Sequence, residues 1–189
     1  MSGFLLHLLR HGAPELTGRM LGRTDSPPTA EGIAACVDRA GTLAIQALAA
    51  SDLSRARLAG EALGTVLALP VAIDPRWREL DFGEWDGKAA RDLDAAALAR
   101  FWDDPDAYPP PDGETWSSLV ARVAAAMAEL PPRDTLVVTH GGAMRAALAW
   151  LCGFGPRQAW AFDLPYASLL TLRVWPGERP SAQITGLCT

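Results

Sequence analysis

Two of the three histidines in this 189-residue chain stand where an apolar run gives way to glycine with arginine close by. His11 follows Leu8-Leu9-Arg10 and precedes Gly12; His140 follows Leu136-Val137-Val138-Thr139 and precedes Gly141-Gly142. A neutral imidazole nitrogen can attack phosphorus and form a phosphohistidine. Phosphoryl transfer otherwise asks a protein for in-line positioning and for positive charge around the equatorial oxygens. Arg10 and Arg55 can supply that charge in the planar, bidentate form that lysine lacks. Gly12 lets backbone approach the phosphate closely, and His140, backed by Gly141, can complete the cage. An isolated Arg-His-Gly fits a buried strand equally well. His7, midway along its apolar run, reads as a packing residue.

Both histidines need short buried strands that stop abruptly, and ligands of open α/β sheets gather at that carboxyl edge. Residues 4–9 are apolar apart from His7, as expected of a strand covered on both faces. Residues 12–29 read as loop, and Thr29 as the cap of a helix running to about Leu48. Further strands are expected at Ala47–Ala50, Pro70–Ile73 and Thr135–Thr139, with helices over 54–68, 89–102, Thr115–Leu130 and Gly142–Leu151. The run 77–88 resists assignment, Asp103–Gly113 is irregular and proline-rich, and Tyr166–Trp175 with Ala182–Leu187 suggests a final hairpin. Strands alternating with helices give a three-layer α/β/α sandwich with a mostly parallel sheet. The chain reads as one domain over 1–189, with an inserted lid at about 77–116 over the carboxyl edge of the strands.

Composition narrows the partners. A formal charge of −5 argues against a nucleic-acid or anionic-membrane surface, so an anionic substrate requires a local cationic pocket. Cys36, Cys152 and Cys188 are scattered and suit a reducing compartment, with no spacing that suggests a metal site. The first residues lack the basic leader of a signal peptide, and the apolar run stops at Arg10, too soon to span a membrane. The expectation is a cytoplasmic protein with no metal and no cofactor. The final hairpin offers an edge strand through which a homodimer could pair.

Four separated segments, in order, resemble the histidine phosphatase superfamily, which includes phosphoglycerate mutases. They are Leu9-Arg10-His11-Gly12, Ser51-Asp52-Leu53-Ser54-Arg55-Ala56, Arg78-Glu79-Leu80-Asp81-Phe82-Gly83-Glu84-Trp85-Asp86-Gly87, and Thr139-His140-Gly141-Gly142. The resemblance implies His11 as nucleophile, Arg10 and Arg55 as phosphate ligands, and His140 as a transition-state stabiliser. It implies Glu79 as the donor of a proton to the leaving oxygen, with Glu84 the rival and an ion pair with Arg76 or Arg78 the bland alternative. As a general acid Glu79 must hold a proton near neutral pH, which burial under the lid would favour. Ala13-Pro14 replaces the family's acid or amide and hydroxyl after His-Gly. Thr17 stands where an asparagine commonly helps hold phosphate, and its hydroxyl can still donate one hydrogen bond.

Two comparisons within the family narrow the reaction. Residues 101–116 contain no Lys or Arg, which suits a bisphosphate poorly and favours a phosphatase over a mutase. The segment Gly22-Arg23-Thr24-Asp25, the 79–87 run and Trp102–Asp112 are similar to α-ribazole phosphatases of cobalamin nucleotide-loop assembly. That likeness nominates Gly22, Arg23 and Trp85 as substrate contacts, with Trp85, Trp102 and Trp116 offering faces for a flat base; core packing is the competing role for these tryptophans. The expected function is a metal-independent phosphomonoesterase acting on a small phosphate monoester. The alternatives are a phosphoglycerate mutase-type phosphotransferase and a non-catalytic phosphate-binding module.

Overall fold

The computed structural model describes residues 3–189; Met1 and Ser2, part of the leader reading above, lie outside them. Six strands form one sheet: β1 (Phe4–Arg10), β2 (Ala47–Ala50), β3 (Val71–Ile73), β4 (Thr135–Thr139), β5 (Leu169–Trp175) and β6 (Ser181–Cys188), in the order β3-β2-β4-β1-β5-β6. The pairs β2–β3, β2–β4 and β1–β4 are parallel, and β5 is antiparallel to both β1 and β6. The mixed, mostly parallel sheet expected from the alternation is therefore observed.

Every residue of β4 is buried, as the uninterrupted Leu-Val-Val run requires of a strand covered on both faces. Alternation sorts its side chains and those of β1 between two apolar layers. Leu6, Leu8 and Val137 pack under α4 (Trp116–Ala128) and α5 (Gly141–Cys152). Leu9, Leu136 and Val138 pack under α1 (Ala30–Ala40) and α2 (Ser54–Leu67). Leu8 and Leu9 are completely buried, each contributing about 1.5–3 kcal/mol relative to exposure.

Several element boundaries correct the sequence reading. Helix α1 is capped by the Thr29 hydroxyl, which accepts from the Gly32 amide at 2.9 Å, but it ends at Ala40 rather than near Leu48. Gly41 closes it with a bond to the Val37 carbonyl, and the chain must then turn to enter β2. The helix expected over 89–102 is a single 3-10 turn at 90–92 followed by α3 (Ala95–Asp103), because the Asp94 carboxylate accepts from the Ala97 amide and starts a new helix. A short helix, α6 (Pro156–Trp160), was not foreseen. Tyr166 does not belong to β5: Ala167 has φ of +58°, and the turn bonds back to β1 through Ala167 N–H to His11 O and Arg10 N–H to Ser168 O.

Residues 77–116 pack on the α4/α5 side through Trp77, Leu80, Trp85, Phe101 and Trp116, all members of that core layer. Among the described residues no helix is long and apolar enough to cross a membrane.

Candidate active site

Register brings the chemistry together. Arg10 lies opposite Thr139 in the β1–β4 pair, and Ala50 opposite Val138 in the β2–β4 pair. The next residue on each strand is His11, His140 or Ser51. Amides just past the ends keep the rows aligned, His11 N–H bonding Thr139 O at 2.9 Å and Ser51 N–H bonding Val138 O at 3.0 Å. The two imidazole centroids are 5.0 Å apart.

His11 is 5% exposed and its Nδ1 lies 2.7 Å from the Gly12 carbonyl. A carbonyl only accepts, so Nδ1 carries the proton, and in the neutral ring the Nε2 lone pair is free. Burial, then the charges of Arg55 and Arg10, hold this histidine well below its ordinary range, so the ring is neutral near pH 7. His140 is completely buried, with Nε2 at 2.9 Å from the Ser51 hydroxyl and Nδ1 without a protein partner. It too is held low, by burial first and then by Arg55 and His11. Gly12 is required by packing: a Cβ there would overlap the Gly32 carbonyl at the start of α1.

Arg55, in the first turn of α2, is fully buried. Its Nη1 donates to Thr24 O at 2.9 Å, and its Nη2 to Leu21 O at 2.7 Å and Gly22 O at 3.1 Å. The Asp86 carboxylate in turn accepts from the amides of Gly22, Arg23 and Thr24 at 2.7–3.0 Å. Arg10 bonds Leu164 O at 2.5 Å and stacks its guanidinium 4.4 Å from the Tyr166 ring centroid. Both arginines keep a buried Nε–H with no partner, and among the described residues neither has a carboxylate within ion-pair distance. Unpaired buried donors are costly. Here two of them, on the arginines whose charges bear on His11, stand with the unpartnered His140 Nδ1, an arrangement suited to an incoming phosphate.

Glu79 stands at the start of α5. Its Oε2 accepts from the Gly142 amide at 3.0 Å and its Oε1 from Leu80 N–H at 2.8 Å. Arg122 anchors the segment, reaching the carbonyls of Arg76, Arg78 and Glu79 at 2.8–3.2 Å while paired with Glu114 at 2.7 Å. A Cβ on Gly142 would run into the Glu79 carboxylate. Glu79 thus forms no ion pair with Arg76 or Arg78, which instead hold Asp74, Glu129 and Asp52.

Glu79 and Arg10 lie between two adjoining recesses. One, of about 210 Å³, contains His11, Arg19 and Tyr166. The other, of about 420 Å³, contains Gly141, Arg145 and the aromatic side chains of Phe101, Trp102, Trp116 and Trp160. Several nominated residues lie elsewhere. Thr17 and Glu84 are exposed and line neither recess. Gly22 serves the Arg55 scaffold, and a Cβ there would meet Leu80 O. Arg23 points to the surface, paired with Asp81 at 3.0 Å. Trp85 is 7% exposed and packs edge-on against Phe101 beneath the cavity. Arg145 and Tyr166 were missed. Arg145 was findable, since it follows Gly141 by one helical turn and shares its face.

A family model described as "Histidine phosphatase superfamily (branch 1)" matches residues 6–184. The chain belongs to that superfamily. It is 34% identical over 166 residues to glucosyl-3-phosphoglycerate phosphatase of Mycolicibacterium vanbaalenii, covering 78% of this chain and 74% of that one. It is 31% identical over 160 residues to "Probable phosphoglycerate mutase GpmB" of Enterobacter sp. (strain 638), with coverages of 78% and 74%. The alpha-ribazole phosphatase of Shigella flexneri superposes with a TM-score of 0.83 at 25% identity, over 98% of this chain and 96% of that one. Relatives of this superfamily chain are enzymes of phosphate-ester chemistry, and the chain is read as an enzyme with them.

Proposed function

We propose that the chain is a phosphomonoesterase working through a phosphohistidine at His11. The observation that carries this reading is the pair of unpartnered buried N–H donors on Arg10 and Arg55, with the unpartnered His140 Nδ1, around a neutral His11. In the first step His11 Nε2 attacks phosphorus, the phosphorus–oxygen ester bond breaks, and protonated Glu79 gives its proton to the leaving oxygen. In the second, water attacks phosphorus, Glu79 takes a proton from it, the nitrogen–phosphorus bond breaks, and phosphate leaves with His11 neutral again. Arg10, Arg55 and His140 hold the equatorial oxygens throughout, with Gly141 keeping the approach open, whereas the absence of a side chain at Gly12 serves packing against α1 rather than the phosphate.

On the alcohol side, the aromatic lining and the likeness to the Shigella enzyme support α-ribazole 5′-phosphate, and with it a place in cobalamin biosynthesis. The absence of Lys and Arg from 101–116 disfavours a mutase. The test is rapid quenching during turnover of a panel containing α-ribazole phosphate, phosphoglycerates and p-nitrophenyl phosphate. Acid-labile phosphate on His11 and stoichiometric release of inorganic phosphate are expected. Retention of phosphate with dependence on a bisphosphate primer would establish a mutase instead, and tight vanadate binding with no turnover of any ester would make the chain a binding module.

A further inference from the structure

The segment between α6 and β5 is folded around Arg10 and His11. Arg10 Nη1 donates to Leu164 O at 2.5 Å, Arg10 N–H to Ser168 O at 2.9 Å, and Ala167 N–H to His11 O at 3.2 Å. Ser168 N–H closes the turn on Pro165 O at 3.0 Å. Ala167 keeps a left-handed φ of +58°, a conformation that persists in a residue with a side chain only where its surroundings enforce it. Tyr166 stands inside this turn, bracketed by bonds to the two residues that its side chain meets. Its ring centroid lies 4.4 Å from the Arg10 guanidinium carbon and 5.5 Å from the His11 ring centroid, the His11 and Tyr166 planes tilted by 43°.

Tyr166 is not a core residue: it is 36% exposed and lines the recess that holds His11. Arg10 lines both recesses, and among the described residues it pairs with no carboxylate. A carboxylate would orient the guanidinium, but it would also neutralise the charge and occupy the N–H edge that a phosphate needs. An aromatic face attracts the cation through its quadrupole instead. Stacking on that face leaves both the charge and the in-plane fork of donors for a substrate. The same ring abuts His11, so the nucleophile and the cation share one wall.

We infer that Tyr166 is a positioning residue of the phosphate site, its aromatic face rather than its hydroxyl holding the Arg10 guanidinium charged and open beside His11. This rests on the reading that phosphate binds at His11 and Arg10, and it adds the residue that keeps one of those ligands in place. Tyr166 acts on the reacting phosphate through Arg10.

The experiment measures binding of inorganic vanadate by calorimetry, with kcat and KM for p-nitrophenyl phosphate, in four proteins. They are the wild type, Tyr166→Phe, Tyr166→Leu and Tyr166→pentafluorophenylalanine, the last with nearly the same ring outline but a face of reversed charge. Tyr166→Phe should stay within about threefold of the wild type. Tyr166→Leu and the fluorinated variant should each weaken vanadate about fivefold to thirtyfold, with a matching loss in kcat/KM. In an Arg10→Met background, where no cation remains, replacing the ring by Leu should change vanadate affinity less than about twofold. A loss in Tyr166→Phe equal to that in Tyr166→Leu would give the role to the hydroxyl. Full affinity in the fluorinated variant, or the same loss with and without the Arg10 cation, would make the ring ordinary packing. Each of these outcomes overturns the inference and leaves the hydrolase reading intact. A wild type that binds vanadate with the expected pattern but forms no phosphoenzyme and releases no phosphate would keep the inference and remove the hydrolase reading. A wild type that neither binds vanadate nor turns over would remove both.

Discussion

The two ends of the site are built by different means. At the phosphate end, His11, His140 and Ser51 leave three adjacent strands whose register is fixed by ladder bonds, and every orientation is set by backbone or by a buried partner. At the alcohol end the walls come from turns and from helices α3 to α6, and Trp102 is 44% exposed. The first arrangement suits charge stabilisation, where small misplacements are expensive. The second can vary without disturbing the sheet, which is why one reaction can serve many alcohols. Mutations at the two ends should therefore separate cleanly: kcat collapses at one, KM drifts at the other.

The largest effect expected is from His11→Ala, a loss of at least about 10⁴-fold in turnover of p-nitrophenyl phosphate with an unchanged circular dichroism spectrum. Retained turnover would sink the mechanism. Glu79→Gln follows, at about 10²–10⁴-fold for alkyl phosphates. The loss should be smaller for p-nitrophenyl phosphate, whose leaving group departs without a proton. The exposed Glu84, as Glu84→Gln, should behave as wild type; if it instead reproduced that leaving-group pattern, the two acids would exchange roles. Gly142→Ala comes next. Its methyl group would displace the Glu79 carboxylate, and kcat should fall about tenfold to a hundredfold with little change in phosphate affinity.

The phosphate end was also the legible end. Apolar runs ending in Arg-His-Gly and Thr-His-Gly-Gly encode strand, stop and side chain within a few residues, so β1, β4, His11 and His140 could be read directly. The alcohol end was opaque because tertiary contacts decide it. Nothing local distinguishes Trp85, turned into the core, from Trp102 at the cavity mouth. Arg23 and Thr17 sit in a loop whose path is set by Asp86, more than sixty residues along the chain. The stop of α1 at Ala40 and the start of α3 after Asp94 turned on one backbone amide, that of Gly41, and one aspartate side chain, which propensity summed over a window does not weigh. Arg145 was hidden for another reason. It lies outside the motifs, and only the helical spacing from Gly141 connects it to them.

Burial of the His11 and His140 imidazoles as neutral rings links the phosphate end to stability. An unfolded histidine titrates near 6.5, while burial and the arginines hold His11 and His140 well below that in the fold, and burial lowers His7 despite the opposing charge of Asp134. The unfolded chain therefore binds more protons as pH falls below about 6.5, and stability declines from there downward. The slope should be up to about 1.4 kcal/mol per pH unit for each buried histidine. Asp52, Asp74 and Asp81, held below the usual carboxylate range, contribute stability that is lost only at more acid pH, so the window between about 6.5 and 4.5 belongs to the histidines. Urea unfolding across that window should show the decline, and a His11→Asn, His140→Asn double variant should flatten it. An unchanged slope in that variant would mean the rings are already protonated in the fold.

The smallest contrast lies within the tryptophans. Trp102 lines both recesses and stacks edge-on with Trp160, so Trp102→Leu should raise KM for aryl phosphates about three- to tenfold with kcat nearly unchanged. Trp85→Phe removes part of a buried ring that touches Phe101 from below, and should cost about 1–3 kcal/mol of unfolding free energy while leaving KM as it is. The pair is informative because both residues lie in the same segment and carry the same side chain. If Trp85→Phe instead raised KM while Trp102→Leu did not, the substrate would enter from beneath Phe101, and the division of the site into a fixed phosphate end and a variable aromatic end would have to be redrawn.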